Sequence, residues 1–251
     1  MSDSRAVLVT CGSRGIGRAI AHAFAAAGDR VAVHWGASRE RAEAVLTQLP
    51  GDGHVLVQAD LADADAVGRM VDEAAAALGR LDVLVNNAGV FTAHPPLSVS
   101  YEEWQAAWSR TLAVNLLGAA NATFRAVPHL VAAGGGAVVN VSSRGAFRGE
   151  PDTPAYGASK AGLNAFGQSM AIALAPHGIS VGTVAPGFVQ TEMAREVLDG
   201  PGGDAVRAQS PYGRVARPEE VASAVLWLAS PGARFSTGTI IDVNGASYLR
   251  S

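Results

Sequence analysis

The 251-residue sequence predicts a single doubly wound α/β domain, with about seven parallel strands flanked by helices. Short runs of β-branched and apolar residues alternate along the chain with segments of helical periodicity, which is the pattern of parallel strands joined by crossover helices. Hydrophobic residues make up 49% of the sequence and charged residues 16%. Because an average soluble domain is roughly 25% charged, this chain can bury a large core. No internal repeat, low-complexity segment or interdomain linker breaks the pattern, so we expect one domain over residues 1–251.

The elements follow one another in the order that such a fold requires. Seven strands are predicted, at residues 6–10, 31–35, 55–59, 83–85, 137–141, 179–185 and 239–243. The first helix places Ile16, Ile20 and Phe24 on one face and ends before Gly28, a residue suited to a C-terminal cap. Similar apolar stripes predict further helices over residues 67–78 and 221–228.

Residues 190–213 depart from this alternation. Gly200, Pro201, Gly202 and Gly203 interrupt any long helix just after the sixth strand. Ligands of open parallel sheets bind beyond the carboxyl ends of the strands. We therefore expect a lid over the substrate here, the alternative being an ordinary surface loop.

Composition and charge exclude several classes of function. The net charge of −3 is too balanced for a sequence-independent grip on nucleic acid. No apolar run reaches the roughly 18 residues of a spanning helix, and residues 1–5 lack the basic region and cleavage site of a secretory signal. The one cysteine, Cys11, is typical of a reducing compartment. We expect a cytoplasmic protein with neither a nucleic-acid nor a membrane partner.

Two kinds of catalytic site find no support in the sequence. The six histidines are scattered, with no pair at the spacing of metal ligands on a helix. A G-x-S-x-G elbow, the mark of one class of serine hydrolase, does not occur. We therefore expect no bound metal and no chemistry of that hydrolase class.

The turn after the first strand predicts a nucleotide site. Its residues are Gly12, Ser13, Arg14, Gly15, Ile16 and Gly17, and they lead directly into the first helix. Glycines let the backbone turn tightly and approach a pyrophosphate, whose charge is stabilised by free N–H groups at the positive end of the helix. The position between a strand and a helix makes this signal stronger than the glycines alone.

Lysine usage singles out one side chain for chemistry. Of the 19 basic residues, 18 are arginine and only Lys160 is lysine. Arginine cannot replace lysine where a compact ammonium or a tunable pKa is needed. Lys160 follows Tyr156 by four residues, a spacing that puts the phenol and the ammonium on one face of a helix.

These motifs together resemble the short-chain dehydrogenase/reductase family over nearly the whole chain. The resemblance rests on the nucleotide turn and on Asn86, Asn87, Ala88, Gly89, Asn115, Ser143, Tyr156, Lys160, Pro186, Gly187 and Thr191. It implies a Rossmann-type domain and transfer of hydride between a nicotinamide cofactor and a carbonyl or alcohol.

The resemblance also implies a role for each of four catalytic residues. Tyr156 exchanges the proton with the carbonyl oxygen, and Ser143 orients that oxygen. Lys160 holds the nicotinamide ribose and lowers the tyrosine pKa, which a general acid at neutral pH requires. Asn115 supports a water-linked proton path to the lysine. A buried amide that satisfies local backbone groups remains the alternative for Asn115.

The cofactor is expected to contact residues from the whole length of the chain. They are Gly12, Ser13, Arg14, Gly15, Ile16, Gly17, Ser38, Arg39, Asp60, Leu61, Asn87, Ala88, Gly89, Tyr156, Lys160, Pro186, Gly187, Val189 and Thr191. By resemblance Asp60 and Leu61 contact adenine, although Asp60 as a helix cap stays open.

The end of the second strand favours NADP(H) over NAD(H). An NAD site would place Asp or Glu there to bind the ribose hydroxyls, but residues 34–39 include no acid, and the first acid after the strand is Glu40. Arg14, Ser38 and Arg39 are instead suited to a 2′-phosphate. An NAD-dependent alcohol dehydrogenase of the same family and a non-catalytic dinucleotide-binding regulator are the alternatives.

Cys11 departs from the family, which has the first glycine of the turn at this position. A side chain there is strained by about 1 to 2 kcal/mol if the backbone needs a positive φ. The alternative is that Gly12 absorbs the turn, which would make the change a tolerated one. The sharper hypothesis is weaker or redox-sensitive cofactor binding, since a thiol near a helix N-terminus can have a lowered pKa.

Substrate and assembly are expected from resemblance alone. The chain broadly looks like the 3-oxoacyl carrier-protein reductases, and Arg144, Phe147, Arg148 and Glu150 after Ser143 are mixed apolar and charged. A small ketone and an acyl chain on an acidic carrier protein are both compatible with such a lining. Relatives pair the helix of Asn115 and the helix after Tyr156 across subunits, which implies a homotetramer.

Overall fold

A seven-stranded, all-parallel sheet forms the centre of the molecule, as a computed structural model of residues 4–250 describes it. In chain order its strands are β1 (Ala6–Val9), β2 (Arg30–Trp35), β3 (Val55–Gln58), β4 (Val83–Asn86), β5 (Gly136–Val141), β6 (Ile179–Pro186) and β7 (Ile240–Val243). Each predicted strand is present to within one residue at either end. Residue 251 and residues 1–3, which belong to the segment expected to lack a secretory signal, lie outside the described residues.

The strand order confirms the doubly wound fold. The order is β3-β2-β1-β4-β5-β6-β7, so the chain moves outward from β1 in one direction and then returns to add β4 on the other side. Ligands of such sheets bind where the winding direction reverses, at the carboxyl ends of the strands. This crevice lies between β1 and β4.

Helices cover both faces of the sheet. They are α1 (Gly15–Ala26), α2 (Arg39–Leu46), α3 (Ala64–Leu78), α4 (Tyr101–Leu112), α5 (Gly118–Ala132), α6 (Pro154–Leu174), α7 (Glu192–Asp199), α8 (Gly203–Ala208) and α9 (Pro218–Leu228). One core cluster packs the sheet against α3, α5 and α6, and the other packs it against α1, α2 and α9. Strand alternation supplies both clusters: Leu8 belongs to the first, Val7 and Val9 to the second.

Residues 190–213 form two short helices instead of one long helix. The predicted break falls between α7 and α8, where Gly200 ends the first of them. The Arg207 guanidinium joins the two, since its Nη2 donates to the Leu198 carbonyl oxygen at 2.9 Å. The segment is therefore ordered locally while it remains outside the sheet.

Among the helices of residues 4–250, none combines the length and the apolar character needed to cross a membrane.

Candidate active site

A cavity of about 240 Å³ opens at the carboxyl ends of the central strands. The nucleotide turn forms one wall, the loop after β4 and the start of α6 form another, and α7 covers one side. The predicted residues that line it are Arg14, Gly15, Ile16, Gly17, Asn87, Gly89, Ser143, Tyr156, Lys160, Pro186, Gly187, Val189 and Thr191. Sequence positions as distant as 14 and 191 thus share one cavity.

Eight predicted residues do not line this cavity: Gly12, Ser13, Ser38, Arg39, Asp60, Leu61, Ala88 and Asn115. Several cavity-lining residues were missed by the sequence analysis, among them Phe91, Phe188 and Glu192. No sequence motif marks these three, because each enters the cavity through the path of a loop or the orientation of α7.

Ser143, Tyr156 and Lys160 approach one another where β5 ends and α6 begins. Ser143 directly precedes the short 3-10 turn Arg144–Ala146, and its Oγ accepts the Gly145 N–H at 3.0 Å. Tyr156 lies in the first turn of α6, and its ring packs edge-on against Phe91 with centroids 4.9 Å apart. The Lys160 Nζ lies 5.8 Å from the Tyr156 ring centroid, as expected for four-residue spacing on one helix.

Lys160 is a buried ammonium held by a backbone carbonyl. Only 2% of the residue is exposed, and Nζ donates to the Val141 oxygen at 2.8 Å. Burial lowers the pKa of Lys160 from 10.5 to about 8. The ammonium is therefore mostly charged at neutral pH but close to releasing its proton.

The pKa of the Tyr156 phenol shifts in the direction opposite to the sequence expectation, which was a pKa lowered by Lys160. Burial raises the pKa of Tyr156 above its ordinary value, and the negative charge of Glu150 raises it further, while a contact with the Ser143 hydroxyl lowers it. The lysine does not reverse this effect, since its ammonium is itself desolvated and turned to the Val141 carbonyl. The protein's own groups keep the phenol protonated at neutral pH.

Asn115 lies in a π turn, Ala113–Leu117, between α4 and α5. Such an extra residue in a helix is frequent at functional sites. The buried amide accepts the Val90 N–H at 2.8 Å and donates to the Val90 carbonyl and the Ser159 Oγ, both at 3.1 Å. A Cβ on Gly89 would lie 3.6 Å from Asn115 Oδ1. The amide thus fixes the loop after β4, which is the structural alternative that the sequence left open.

The nucleotide turn fits phosphate groups. A Cβ on Gly17 would clash with the Cys11 carbonyl oxygen, so only glycine allows the helix to start this close to the turn. Helix α1 has no side-chain cap and no acid in its first turn. Its first N–H groups are free to bind an anion. Arg14, the exposed N-cap residue, forms no ion pair within residues 4–250.

Cys11 has a φ of +51°, and Gly12 does not take a positive φ in its place. The backbone at Cys11 is therefore strained, because a residue with a Cβ rarely adopts a positive φ. A hydrogen bond from the Cys11 N–H to His34 Nδ1 at 2.9 Å holds the residue in this conformation.

His34 has a structural role that its sequence position does not indicate. Its Nδ1 accepts from Cys11, so the ring proton lies on Nε2, which donates to the Ala59 carbonyl at 3.1 Å. Burial lowers the pKa of His34 to about 4. The neutral ring therefore ties the nucleotide turn to the ends of β2 and β3.

Asn87 and Ala88 brace the turn from β4. Their N–H groups donate to Thr10 Oγ1 at 2.9 and 3.1 Å, and Asn87 Nδ2 donates to the Thr10 carbonyl at 2.9 Å. These bonds join the two strands on either side of the crevice.

The residues after β2 have local partners. Ser38 caps α2, and Arg39 pairs with Glu43 one helical turn later at 2.7 Å. Arg41, which the sequence analysis did not single out, pairs at 3.3 Å with Glu192 of α7. This ion pair links α2 to the cavity wall.

Asp60 forms an ion pair instead of a helix cap. Arg110 lies 3.0 Å from its carboxylate and holds the pKa of Asp60 below its usual range. The cap of α3 is Asp63, so the helix-cap alternative for Asp60 is wrong. Leu61 is buried in the core.

Within the described part of the chain, no group of three or more His, Cys, Asp or Glu side chains is arranged to hold a metal ion.

Comparison with known proteins finds a matching family model and similar enzymes. A family model described as enoyl-(acyl carrier protein) reductase matches residues 11–246. The 3-oxoacyl-(acyl-carrier-protein) reductase FabG of Staphylococcus aureus is 37% identical over 99% of this chain and 100% of its own length. Cis-4-hydroxycyclohexanecarboxylate dehydrogenase of Sinomonas cyclohexanicum is 40% identical over 96% of this chain and 95% of its own.

Solved structures agree with the observed fold. A short chain dehydrogenase from Burkholderia cenocepacia in complex with NADP superposes with a TM-score of 0.88, at 37% identity and 97% coverage of both chains. A dehydrogenase/reductase from Sinorhizobium meliloti gives a TM-score of 0.90 at 33% identity, covering 99% of this chain and 96% of that one.

Proposed function

This chain belongs to the short-chain dehydrogenase/reductase family of NAD(P)-dependent enzymes, and from that premise we propose that it reduces a ketone or 3-oxoacyl group with NADP(H). The observation that carries the proposal is the meeting of Ser143, Tyr156 and Lys160 with the uncapped N-terminus of α1 in one cavity. That arrangement offers a proton donor beside a phosphate-binding turn.

The bound nicotinamide would supply the hydride, and the protein positions and polarises the substrate. Ser143 donates a hydrogen bond to the carbonyl oxygen, and Tyr156 transfers its proton to that oxygen. The Lys160 ammonium then stabilises the tyrosinate, aided by the positive end of α6.

The proton that carbonyl reduction requires starts on Tyr156. Burial and Glu150 raise the pKa of Tyr156, so the phenol is protonated at neutral pH. Because efficient proton transfer in either direction needs a pKa near the working pH, the charges of Lys160 and of an oxidised nicotinamide would have to lower this pKa. The NAD-dependent alcohol dehydrogenase remains the second candidate.

NADP(H) is supported by charge at the nucleotide turn. Arg14 is an exposed cation without an ion-pair partner in residues 4–250, and no carboxylate stands at the end of β2. The Burkholderia relative was solved with NADP. Initial rates with NADPH and NADH at equal, low concentrations test this choice, and comparable rates would contradict it.

Residues 190–213 are proposed as the substrate lid. Met193 and Val197 of α7 line the cavity with apolar surface, and the FabG relative is named for a 3-oxoacyl substrate. A small ketone or a carrier-bound acyl chain would lie between α7 and Tyr156.

Oxidation of NADPH with a panel of activated ketones tests the proposed activity. We expect turnover by the wild type and its loss in Tyr156→Phe, with NADPH binding retained in both. Cofactor binding without turnover by the wild type would instead favour the dinucleotide-binding regulator.

Exposed apolar side chains on α5 and α6 support a homotetramer. Phe124 and Ile172 are each 80% exposed on these two helices. Large apolar side chains this exposed would be covered if the two helices pack against a second copy of the chain. Light scattering should give four times the chain mass, and a monomer at micromolar concentration would contradict the assembly.

The single cysteine supports a cytoplasmic location.

A further inference from the structure

Arg144 directly follows Ser143 and is the most deeply buried guanidinium at the cavity. We propose that it binds an anionic group of the substrate, a carboxylate in the first instance, so that the enzyme acts on oxo acids. The inference rests on the proposed carbonyl reduction and names the substrate class of the same site.

The Arg144 side chain is buried but incompletely bonded. Only 4% of the residue is exposed. Nη1 donates to Gln209 Oε1 at 2.8 Å and to Ser247 Oγ at 2.9 Å, and both acceptors are neutral. Among residues 4–250, Nε and Nη2 have no hydrogen-bond partner, yet neither is sealed inside the protein. Free N–H groups of a buried cation are therefore directed to open space.

No carboxylate neutralises this cation in the described residues. Two cavities share Arg144 in their walls, and their acidic lining residues are Glu150, Glu192, Glu220 and Asp242. Three of these are paired with other arginines: Glu192 with Arg41, Glu220 with Arg214, and Asp242 with Arg250. Glu150 does not come within 4.0 Å of the guanidinium nitrogens.

An unpaired buried charge is costly, which argues that it has a ligand. Breaking a buried ion pair leaves a strongly destabilising charge, and arginine cannot shed its proton in a protein. Burial and the nearby Arg148 lower the pKa of Arg144, as expected for a desolvated cation, and Glu150 offsets this only in part. A substrate anion would supply the missing partner.

The position of Arg144 suits a carboxylate attached close to the carbonyl. The extended backbone of Ser143 sends the two consecutive side chains to opposite sides of the chain, yet both Ser143 and Arg144 line the same cavity. The Phe188 ring lies 5.2 Å from Arg144 Cζ and supports the planar guanidinium. Two N–H groups of a fixed guanidinium match the two oxygens of a carboxylate. A spacer of a few carbons would then place the carbonyl at Ser143 and the anion at Arg144.

A purely structural role is the competing explanation. Through Gln209 and Ser247, Arg144 joins the end of α8 to the C-terminal segment. Loss of such a clip would impair neutral and anionic substrates alike. Substrate charge therefore separates the two roles.

The test compares 4-oxopentanoate with 4-oxopentanamide, which is nearly isosteric and neutral. We expect the wild type to show a kcat/KM at least 10-fold higher for the acid. Arg144→Gln should lower kcat/KM for the acid by about 10- to 100-fold, in keeping with the loss of charge-assisted hydrogen bonds, and for the amide by less than about threefold. Arg144→Lys should restore part of the acid preference. Equal losses for both substrates would overturn the proposal.

Arg148→Gln is the matched control. Arg148 is four residues further along, exposed, and bonded to the same Gln209 Oε1 at 3.2 Å. Contrary to the sequence expectation of a substrate lining, Arg148 lies in the wall of neither cavity. Its replacement removes one positive charge near the cavity without removing the buried one. Both substrates should stay within about threefold of wild type. An equal loss of acid preference in this variant would assign the effect to general charge and overturn the role of Arg144.

Failure of folding or of catalysis leaves the inference testable. If Arg144→Gln does not fold, the wild-type ratio of acid to amide decides, and a ratio near one overturns the proposal. If the wild type reduces no ketone, the proposed function fails separately. Binding of pentanoate by calorimetry then decides: binding that is lost in Arg144→Gln, partly retained in Arg144→Lys and retained in Arg148→Gln supports the anion site, and absent wild-type binding overturns it.

Discussion

Replacing Lys160 with methionine should change how the stability of the protein depends on pH. Burial lowers the pKa of this ammonium from 10.5 to about 8. The folded protein therefore binds the proton more weakly than the unfolded chain, and the charged form opposes folding. At about 1.36 kcal/mol for each pKa unit, the penalty amounts to about 3 kcal/mol.

The direction of the effect follows from the two pKa values. Below pH 8 both states carry the proton, and the full penalty is present. From about pH 8 to 10.5 the folded protein releases the proton while the unfolded chain keeps it, so the free energy of unfolding of the wild type rises with pH. Methionine does not titrate, so Lys160→Met lacks this contribution. It also leaves the Val141 carbonyl unpaired, which costs about 1 to 3 kcal/mol at every pH.

Urea unfolding at fixed protein concentration, at intervals from pH 7 to 10.5, measures both effects. We expect Lys160→Met to be about 0 to 2 kcal/mol more stable than wild type at pH 7 and about 1 to 3 kcal/mol less stable at pH 10.5. Arg148→Met, which removes an exposed cation, should show a nearly constant difference from wild type. A difference for Lys160→Met that varies by less than about 1 kcal/mol over the range would refute the reasoning.

Four further substitutions test the site. Tyr156→Phe should lower kcat for ketone reduction by at least about 100-fold with NADPH binding unchanged by fluorescence titration; retained turnover would remove Tyr156 as the acid. Lys160→Arg preserves charge but places a wide planar fork where Nζ meets a carbonyl, so steady-state turnover should fall at least about 10-fold, and near-full activity would contradict the role of the lysine. Cys11→Gly should raise Tm in calorimetry by about 1 to 4 °C, because relief of the +51° φ outweighs the added flexibility of glycine; unchanged cofactor affinity and peroxide sensitivity would remove the redox hypothesis. Arg14→Gln should weaken NADPH binding about 10-fold more than NADH binding in parallel titrations, and equal losses would place the 2′-phosphate elsewhere.

The strands and their connections could be predicted because their signals are local. Two-residue alternation and runs of Val, Ile and Ala mark each strand, and all seven occur within one residue of the predicted bounds. The break at Gly200 likewise separates α7 from α8. The π turn around Asn115 could not be predicted, because its five residues read as an ordinary helix and the extra residue depends on how α4 and α5 pack.

The site residues also divide into those predictable from local sequence and those that depend on tertiary packing. Tyr156 and Lys160 share a helical face by spacing alone, and their proximity follows from the sequence. The direction in which the pKa of Tyr156 shifts does not, because burial raises it and the charge of Glu150 raises it further. The sequence marks the end of β2 only by the absence of an acid, whereas His34 at that position holds the nucleotide turn through two ring hydrogen bonds.

The sequence by itself determined the fold class, the nucleotide turn and the resemblance to a family, because these depend on periodicity, glycine positions and spacing within one element. Only the tertiary structure decided the electrostatic state of the site. Arg144 meets Gln209 65 residues later and Ser247 103 residues later, and no carboxylate arrives with them. Burial and the presence or absence of a counter-ion depend on residues that are distant in the chain, so no local sequence pattern encodes them. A basic residue in the sequence therefore becomes a candidate anion site only once the chain has folded around it.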